Sequence, residues 1–426
     1  VLVACAAWLE PAAAQPLPRN CSIPRQNLFV RDVLQDLYLW DRFLPDLDPT
    51  AFGSPEAFLE AVRYRPLDDT FSYIAPRAAT EAFYARGQFV GVGLANQTTP
   101  TGDGLAVEMR VAQVFPESPA SDAGIARGDR ILSIGGRAVD DWWRTGQLAE
   151  AFGRAEIGDA TVLVYQRGTE EPIEATLIKR LVTIPTVSAI RVYEQDGRRI
   201  GYLFFRSFVE PAVEALDDAF VQLQEAGISE LILDLRYNGG GLVSVAQHLA
   251  SLIGGRRTIG LVLAEYVHNA KNGFRNQTLR FLETAHALAL DRLLVITSKG
   301  SASASELVIN GLRPYMPVVL IGDDTYGKPV GQYGVDFCDK TAFPVAFAIR
   351  NGEGQGDFFG GIPATCPARD ALEAPLGDPA EDALAEALHF LRTGACRTPA
   401  ASASGVRREG TRPIRPAGFR ALLGAW

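Results

Sequence analysis

Lysine is scarce in this chain. Of 41 lysines and arginines among 426 residues, only Lys179, Lys271, Lys299, Lys328 and Lys340 are lysine. Arginine stays charged in a protein, whereas a buried lysine can give up its proton. A lysine kept in an arginine-rich chain is therefore a candidate for base chemistry. Histidine is scarcer still: His248, His268, His286 and His389 are the only four, none in a glycine-rich turn or beside an acid motif. That argues against a Ser-His-Asp arrangement. No CxxC, HExxH or clustered acidic motif is present, so neither a metal nor another cofactor is expected. After the first fifteen residues no apolar run reaches the ~18 residues of a membrane span. The net charge of -9 gives no attraction to nucleic acid or to an anionic membrane surface.

What is present is ordinary globular material, 47% hydrophobic and 21% charged, in a length that suits two or three domains. Residues 1–20 read as a leader. Residues 21–86 read as a helical lead-in, with apolar positions at three- and four-residue spacing in FVRDVLQDLYLWDRFL and a second amphipathic stretch opened by Ser54-Pro55-Glu56. From 87 to 181 short β-branched runs punctuated by glycine (FVGVGLA, LAVEMRVAQVF, DRILSIGG, TVLVYQR) indicate a small β-rich domain with one short helix at SPASDAGI. From 182 to 396 strands alternate with helices, the βαβ signature of an α/β core. Residues 397–426, rich in Arg, Ala, Ser and Pro, read as an irregular tail.

Within the leader, VLVACAAWLEPAAAQ has the apolar stretch of a secretory signal, with Ala12-Ala13-Ala14 as a cleavage site. Leu2-Val3-Ala4-Cys5 offers a second reading, a lipoprotein box that would leave Cys5 lipid-bearing and membrane-anchored. Either implies export to the periplasm or cell envelope. Cleavage after Ala14 leaves Cys21, Cys338, Cys366 and Cys396, an even count suited to disulfides. Three pairings are open. The expectation is Cys338 with Cys366, which bracket one C-terminal hairpin region, and Cys21 with Cys396 at opposite ends.

The strongest chemical signal is LLVITSKGSASASELVINGL, an apolar strand, a small-residue turn and a helix. Ser303 falls at the helix start, where free N–H groups and a partial positive charge can stabilise an oxyanion. Read alone, Ser301, Ser303 and Ser305 serve equally well as caps and packing residues. The segment DDTYGKPVGQYG follows the next apolar strand and presents Lys328, with Gln332 four positions later. A neutral lysine there can act as base for a serine hydroxyl. The turn Leu235–Gly241 (LRYNGGG) lies between a strand and a helix, and its glycines allow close backbone approach. Its spacing fits neither phosphate-loop pattern. Gly241 and Ala304 are the expected oxyanion donors.

Together, ILDLRYNGGG, GSASASELV and TYGKPVGQ closely resemble the carboxyl-terminal processing (tail-specific) proteases. The resemblance covers about residues 26 to 395. It implies an α/β core of the crotonase-like and ClpP-like kind, with Ser303 as nucleophile, Lys328 as general base, Gln332 orienting the lysine, and Gly241 and Ala304 forming the oxyanion hole. ESPASDAGIARGDRILSIGGRAV looks like the latter half of a PDZ domain. In that reading Gly91, Val92, Gly93 and Leu94 bind the carboxylate of a protein or peptide tail while the peptide adds a strand to the sheet edge. Pro329 stands where the family more often has glycine. The segment from Asp336 to Pro367, which carries Cys338 and Cys366, is only loosely similar. Two other classes remain: a non-catalytic PDZ-type peptide-binding scaffold, which would not need intact Ser, Lys and Gln, and acyl-thioester chemistry of the crotonase type, for which an exported location is unsuited.

Overall fold

In the computed structural model, which describes residues 20–397 except 103, 105 and 289, the chain opens with helix α1 (Ile23–Leu37). Phe29, Val30, Val33 and Leu34 recur at helical spacing on its buried face. Helix α2 (Pro55–Val62) begins at Ser54, whose hydroxyl caps the Ala57 N–H, and buries Phe58, Leu59 and Val62 in the same cluster. Strand β1 (Tyr73–Pro76) and helix α3 (Arg77–Arg86) follow.

Strand β2 (Gln88–Gly91) leads into a small antiparallel sheet. Its elements are β3 (Leu94–Thr101), β4 (Ala106–Val114), α4 (Pro119–Asp122), β5 (Arg130–Ile134), β6 (Arg137–Ala138), α5 (Val139–Arg144), β7 (Ala160–Gln166) and β8 (Ile173–Ile178). The order is β3-β4-β5-β7-β8, with β6 beside β5, so β3 lies at an open edge. Strand β9 (Arg180–Thr183) returns antiparallel to β2, so entry and exit of this domain form one two-stranded stalk.

The core continues with β10 (Val187–Gln195), β11 (Arg198–Phe205), α6 (Ala212–Glu225), β12 (Glu230–Asp234), α7 (Val243–Gly254), β13 (Val262–His268), β14 (Gln277–Arg280) and β15 (Leu293–Thr297). It then runs through α8 (Ala304–Leu312), β16 (Val318–Gly322), β17 (Val330–Gln332), β18 (Val335–Phe337), β19 (Lys340–Phe343), β20 (Val345–Arg350), β21 (Cys366–Pro367) and α9 (Asp382–Thr393). The main sheet has the order β10-β11-β12-β15-β16-β21 and is parallel from β11 onward. The period of two along each strand sorts its apolar residues between two layers. Leu203, Phe205, Leu231, Leu233, Leu293 and Val295 pack against α6, α7 and α8, while Tyr202, Phe204, Ile232, Leu294 and Ile296 pack against α9. Each fully buried Phe or Leu contributes about 1.5–3 kcal/mol. This is the α/β core expected from the βαβ pattern.

A second sheet, β14-β13-β20-β17, covers the C-terminal side of α8, and a third, β1-β19-β18, joins the N-terminal region to the core. Among the described residues no helix is long and apolar enough to cross a membrane. The leader, the Cys5 lipidation site and residues 398–426 of the tail lie outside the described residues.

The disulfide expectation is corrected. Cys21 pairs with Cys338 and Cys366 with Cys396, at Cα separations of 5.9 and 5.3 Å. Cys338 turns β18 into β19, a hairpin that packs on α1 through stacked Phe29 and Phe337, so it meets the start of α1. Cys366 lies in edge strand β21, where the end of α9 returns Cys396. Non-reducing peptide mapping is expected to yield linked pairs 21/338 and 366/396, and a linked 338/366 pair would contradict this fold. Loss of the Cys21–Cys338 bond in a double serine variant should cost about 2–4 kcal/mol in denaturant melts.

Candidate active site

The turn from β15 into α8 is pinned from below by the loop that follows β12. Ser301 donates its hydroxyl to Leu235 O at 2.8 Å, Ser305 donates to Asn238 O at 2.9 Å, and the Ala302 N–H reaches Asn238 O at 3.1 Å. Both of those serines are buried, and Ser303 alone of the three is partly exposed. It has a backbone φ of +55°, in a region that costs a residue with a Cβ roughly 1–3 kcal/mol. Its N–H is held by Glu306 Oε2 at 2.9 Å.

The glycine loop lies directly against this serine. A Cβ on Gly240 would stand 2.9 Å from Ala302 O, Ala304 N and Ser303 Cβ, and one on Gly241 would stand 2.1 Å from Phe208 O. Only glycine fits either place. Gly241 forms a parallel bridge with Phe208 that uses Gly240 O and the Leu242 N–H, which leaves its own N–H outside the pair. Ala304 is the first residue of α8, where no acceptor lies four residues back. Among the described residues neither N–H has a protein acceptor.

Lys328 precedes β17 and is only 9% exposed. Its amine donates to Gln332 Oε1 rather than to Ser303. Gln332 Nε2 donates in turn to Phe71 O and Phe343 O, each at 2.7 Å, and that fixes which end of the amide faces the lysine. Burial pushes the amine down to about 8, opposed by the nearby Asp68 and Glu306 carboxylates. Ser303 and Lys328 line one small cleft, together with Leu263, Leu307, Ile349 and Phe358. Pro329 lies in the same lining, and its carbonyl accepts the Ile349 N–H at 2.9 Å, anchoring the turn after the lysine to β20.

Glu306 went unread in the sequence. Fully buried in the first turn of α8, it accepts the N–H groups of Ser303 (2.9 Å), Lys328 (2.8 Å) and Gly327 (2.7 Å) and the Thr325 hydroxyl (2.6 Å). Burial pushes its carboxyl up, and these donors hold it down. The signal was available, since Ser303-x-x-Glu306 is a capping-box spacing.

Beneath the glycine loop lies a buried charge network, also unread. Arg236 pairs with Asp234 at 2.8 Å and with Glu381 at 2.6 Å, and Tyr202 donates to Asp234 at 2.7 Å. Arg127, from the small β domain, donates to Tyr237 Oη at 2.7 Å and to Asp370 at 2.8 Å. Gly91, Val92, Gly93 and Leu94 do not line the cleft; they run from the end of β2 into the start of β3. Val92 O accepts the Ala120 N–H and Gly93 O the Phe115 N–H, both at 2.9 Å, and all four residues are buried. Among the described residues, the one His/Cys/Asp/Glu group with metal-binding spacing is Cys366, Glu386 and Cys396, and both of its cysteines are in the disulfide.

Comparison with known proteins gives the same order of parts. The Peptidase S41 N-terminal domain matches residues 25–73, a PDZ domain matches 110–167, and Peptidase family S41 matches 199–362. A carboxyl-terminal-processing protease of Synechocystis sp. is 32% identical over 266 residues, 62% of this chain and 58% of the relative. Carboxyl-terminal-processing peptidase 3, chloroplastic, of Arabidopsis thaliana is 28% identical over 311 residues, 70% and 56% of the two chains. The chain thus spans under three-fifths of the length of these relatives. Among solved structures, one from Bacteroides fragilis assigned to the S41 proteases superposes with a TM-score of 0.70 at 26% identity, covering 86% of this chain and 97% of the other. The photosystem II D1 C-terminal processing protease shares the fold, with a TM-score of 0.53 at 21% identity over 85% and 98% of the two chains. With an N-terminal module, a PDZ domain and a core matched in succession, the chain belongs to peptidase family S41.

Proposed function

We propose that this chain is a serine endopeptidase that cuts polypeptides near their C-terminal tails by a Ser-Lys mechanism. The observation that carries the reading is a buried amine, pushed down to about 8 and aimed by Gln332, lining the same cleft as a strained, partly exposed serine at a helix start. Neutral Lys328 takes the proton from Ser303 Oγ as that oxygen attacks the scissile carbonyl carbon. The carbonyl oxygen becomes an oxyanion between the N–H groups of Gly241 and Ala304. The Lys328 ammonium then protonates the leaving amine as the C–N bond breaks. A water, deprotonated by the same amine, hydrolyses the ester to release a new carboxylate and restore Ser303.

The PDZ domain would capture tails, the peptide pairing with the open edge of β3 and its carboxylate meeting the Gly91–Leu94 loop. Two disulfides support an oxidising, exported location, periplasm or cell envelope. The scaffold alternative is disfavoured by the ordered Lys328–Gln332 pair, which a peptide-binding scaffold has no use for.

Ser303→Ala should abolish labelling by a fluorophosphonate probe and remove hydrolysis, with melts unchanged within about 1 kcal/mol. Lys328→Ala should lose activity by about a thousandfold or more, and Lys328→Arg should fail equally because its charge is permanent. A fully active arginine variant would exclude Lys328 as base.

The pH dependence follows from the same amine. The base works neutral, so kcat/KM should rise with pH through an acid limb centred near 8, with about a tenth of the enzyme competent at pH 7. A limb near 6.5 would point to histidine instead.

Glu306→Gln replaces an acceptor oxygen by an amide donor, so at least one N–H of the nucleophile or base loop loses its partner. A stability loss of about 1–3 kcal/mol is expected in urea melts, with a fall in kcat of about a hundredfold or more.

A further inference from the structure

We infer that Asp68, in the N-terminal module, is a positioning residue for the base: it closes the turn whose Phe71 carbonyl holds Gln332 against Lys328. The inference rests on the Ser-Lys reading above. Asp68 is fully buried, and its Oδ1 accepts the N–H groups of both Phe71 and Ser72 at 2.9 Å. Its Oδ2 accepts the Tyr38 hydroxyl from the end of α1 at 2.8 Å. One carboxylate thus shapes residues 68–72 and ties them to the first helix.

The turn meets the base in three ways. Phe71 O accepts Gln332 Nε2 at 2.7 Å, the Phe71 ring centroid lies 5.9 Å from Lys328 Nζ, and Ser72 Oγ accepts the Val345 N–H at 2.9 Å, fastening the turn to β20. Without the Phe71 carbonyl, Gln332 Nε2 keeps only Phe343 O, and the amide can rotate to set a donor against the lysine. The charged groups acting on Lys328 are Asp68 from this turn and Glu306 from α8, and both favour the ammonium form. Arg63, after α2, lies behind the turn and donates to Ser72 O at 3.1 Å. Tyr326, on the loop that carries Lys328, exchanges a hydrogen bond with Thr70 at 2.8 Å.

The role predicts two separable effects, read from the pH profile of kcat/KM and of Ser303 acylation by a fluorophosphonate on the full chain. Asp68→Asn is isosteric and its Oδ1 can still accept both N–H groups, so the turn keeps its closure while the charge and the acceptor for the Tyr38 hydroxyl are lost. Its acid limb should move to lower pH by roughly half a unit to one unit, because losing a negative neighbour favours the neutral amine. Asp68→Glu keeps the charge but displaces the acceptor of the two N–H groups. Its limb should stay while its plateau falls by about tenfold or more. An unmoved limb in Asp68→Asn, or a wild-type plateau in Asp68→Glu, overturns the role. Should Asp68→Asn lose its near-UV circular dichroism, the Asp68→Glu plateau decides alone. Absence of Ser303 labelling in the wild-type chain at every pH removes the Ser-Lys reading and this inference with it, a result neither variant can produce.

Discussion

Everything at the cleft hangs on one buried carboxylate. Glu306 grips the backbone of Ser303 on one side and of Gly327 and Lys328 on the other, with the Thr325 hydroxyl as its fourth donor. Ionising a carboxyl out of water is costly unless its lone pairs are filled, and four donors fill them. The compensation works in both directions. The carboxylate needs those four groups, and through it the Ser303 turn and the Lys328 loop are held to one acceptor. A strained serine backbone can persist because its surroundings over-determine it, and Glu306 is the nearest member of those surroundings.

The second buried network does for the glycine loop what Glu306 does for the serine turn. Arg236 donates to Asp234, Glu381 and Asp370, and the loop that follows carries Tyr237, Asn238 and the two glycines packed on Ser303 and Phe208. Asn238 then links the halves: its side chain holds Gly240 N and Phe205 O, and its carbonyl takes the Ala302 N–H and the Ser305 hydroxyl. The PDZ domain touches this same loop through Arg127, and Arg206 of the core reaches back to Gln113 at 3.1 Å. Packing and charge therefore run without a break from the PDZ sheet to the floor of the cleft.

Legibility divides along the line between local and distant contacts. Strand, turn and helix around Ser303 are written in twenty consecutive residues, and Lys328 and Gln332 share one turn and strand, so local pattern, the scarcity of lysine and the resemblance to a known family together single them out. Asp68 and Phe71 act on Gln332 across some 260 residues, and nothing in LDDTFSY announces a partner there. The cysteines failed for the same reason. Sequence order makes Cys21 and Cys396 look like paired ends, whereas the β18–β19 hairpin carries Cys338 to α1 and leaves Cys366 at the far edge of the main sheet. The second and third sheets were missed because their strands are short and buried on both sides in places, which erases the alternation that marks a half-exposed strand.

The scarcity of lysine takes on a physical meaning in this setting. A base must be neutral enough to accept a proton at working pH and basic enough to want one, so the useful pKa lies near ambient pH. Burial alone would drive Lys328 far down, and proximity to carboxylates alone would keep it charged. The cleft applies both, with desolvation the larger effect and Asp68 and Glu306 opposing it, and the amine settles at about 8. Each of those carboxylates also holds backbone N–H groups, so the residues that tune the amine are the ones that aim it. A guanidinium in the same place would stay charged whatever its neighbours did, so the proposed base chemistry requires lysine at this position in an otherwise arginine-rich chain.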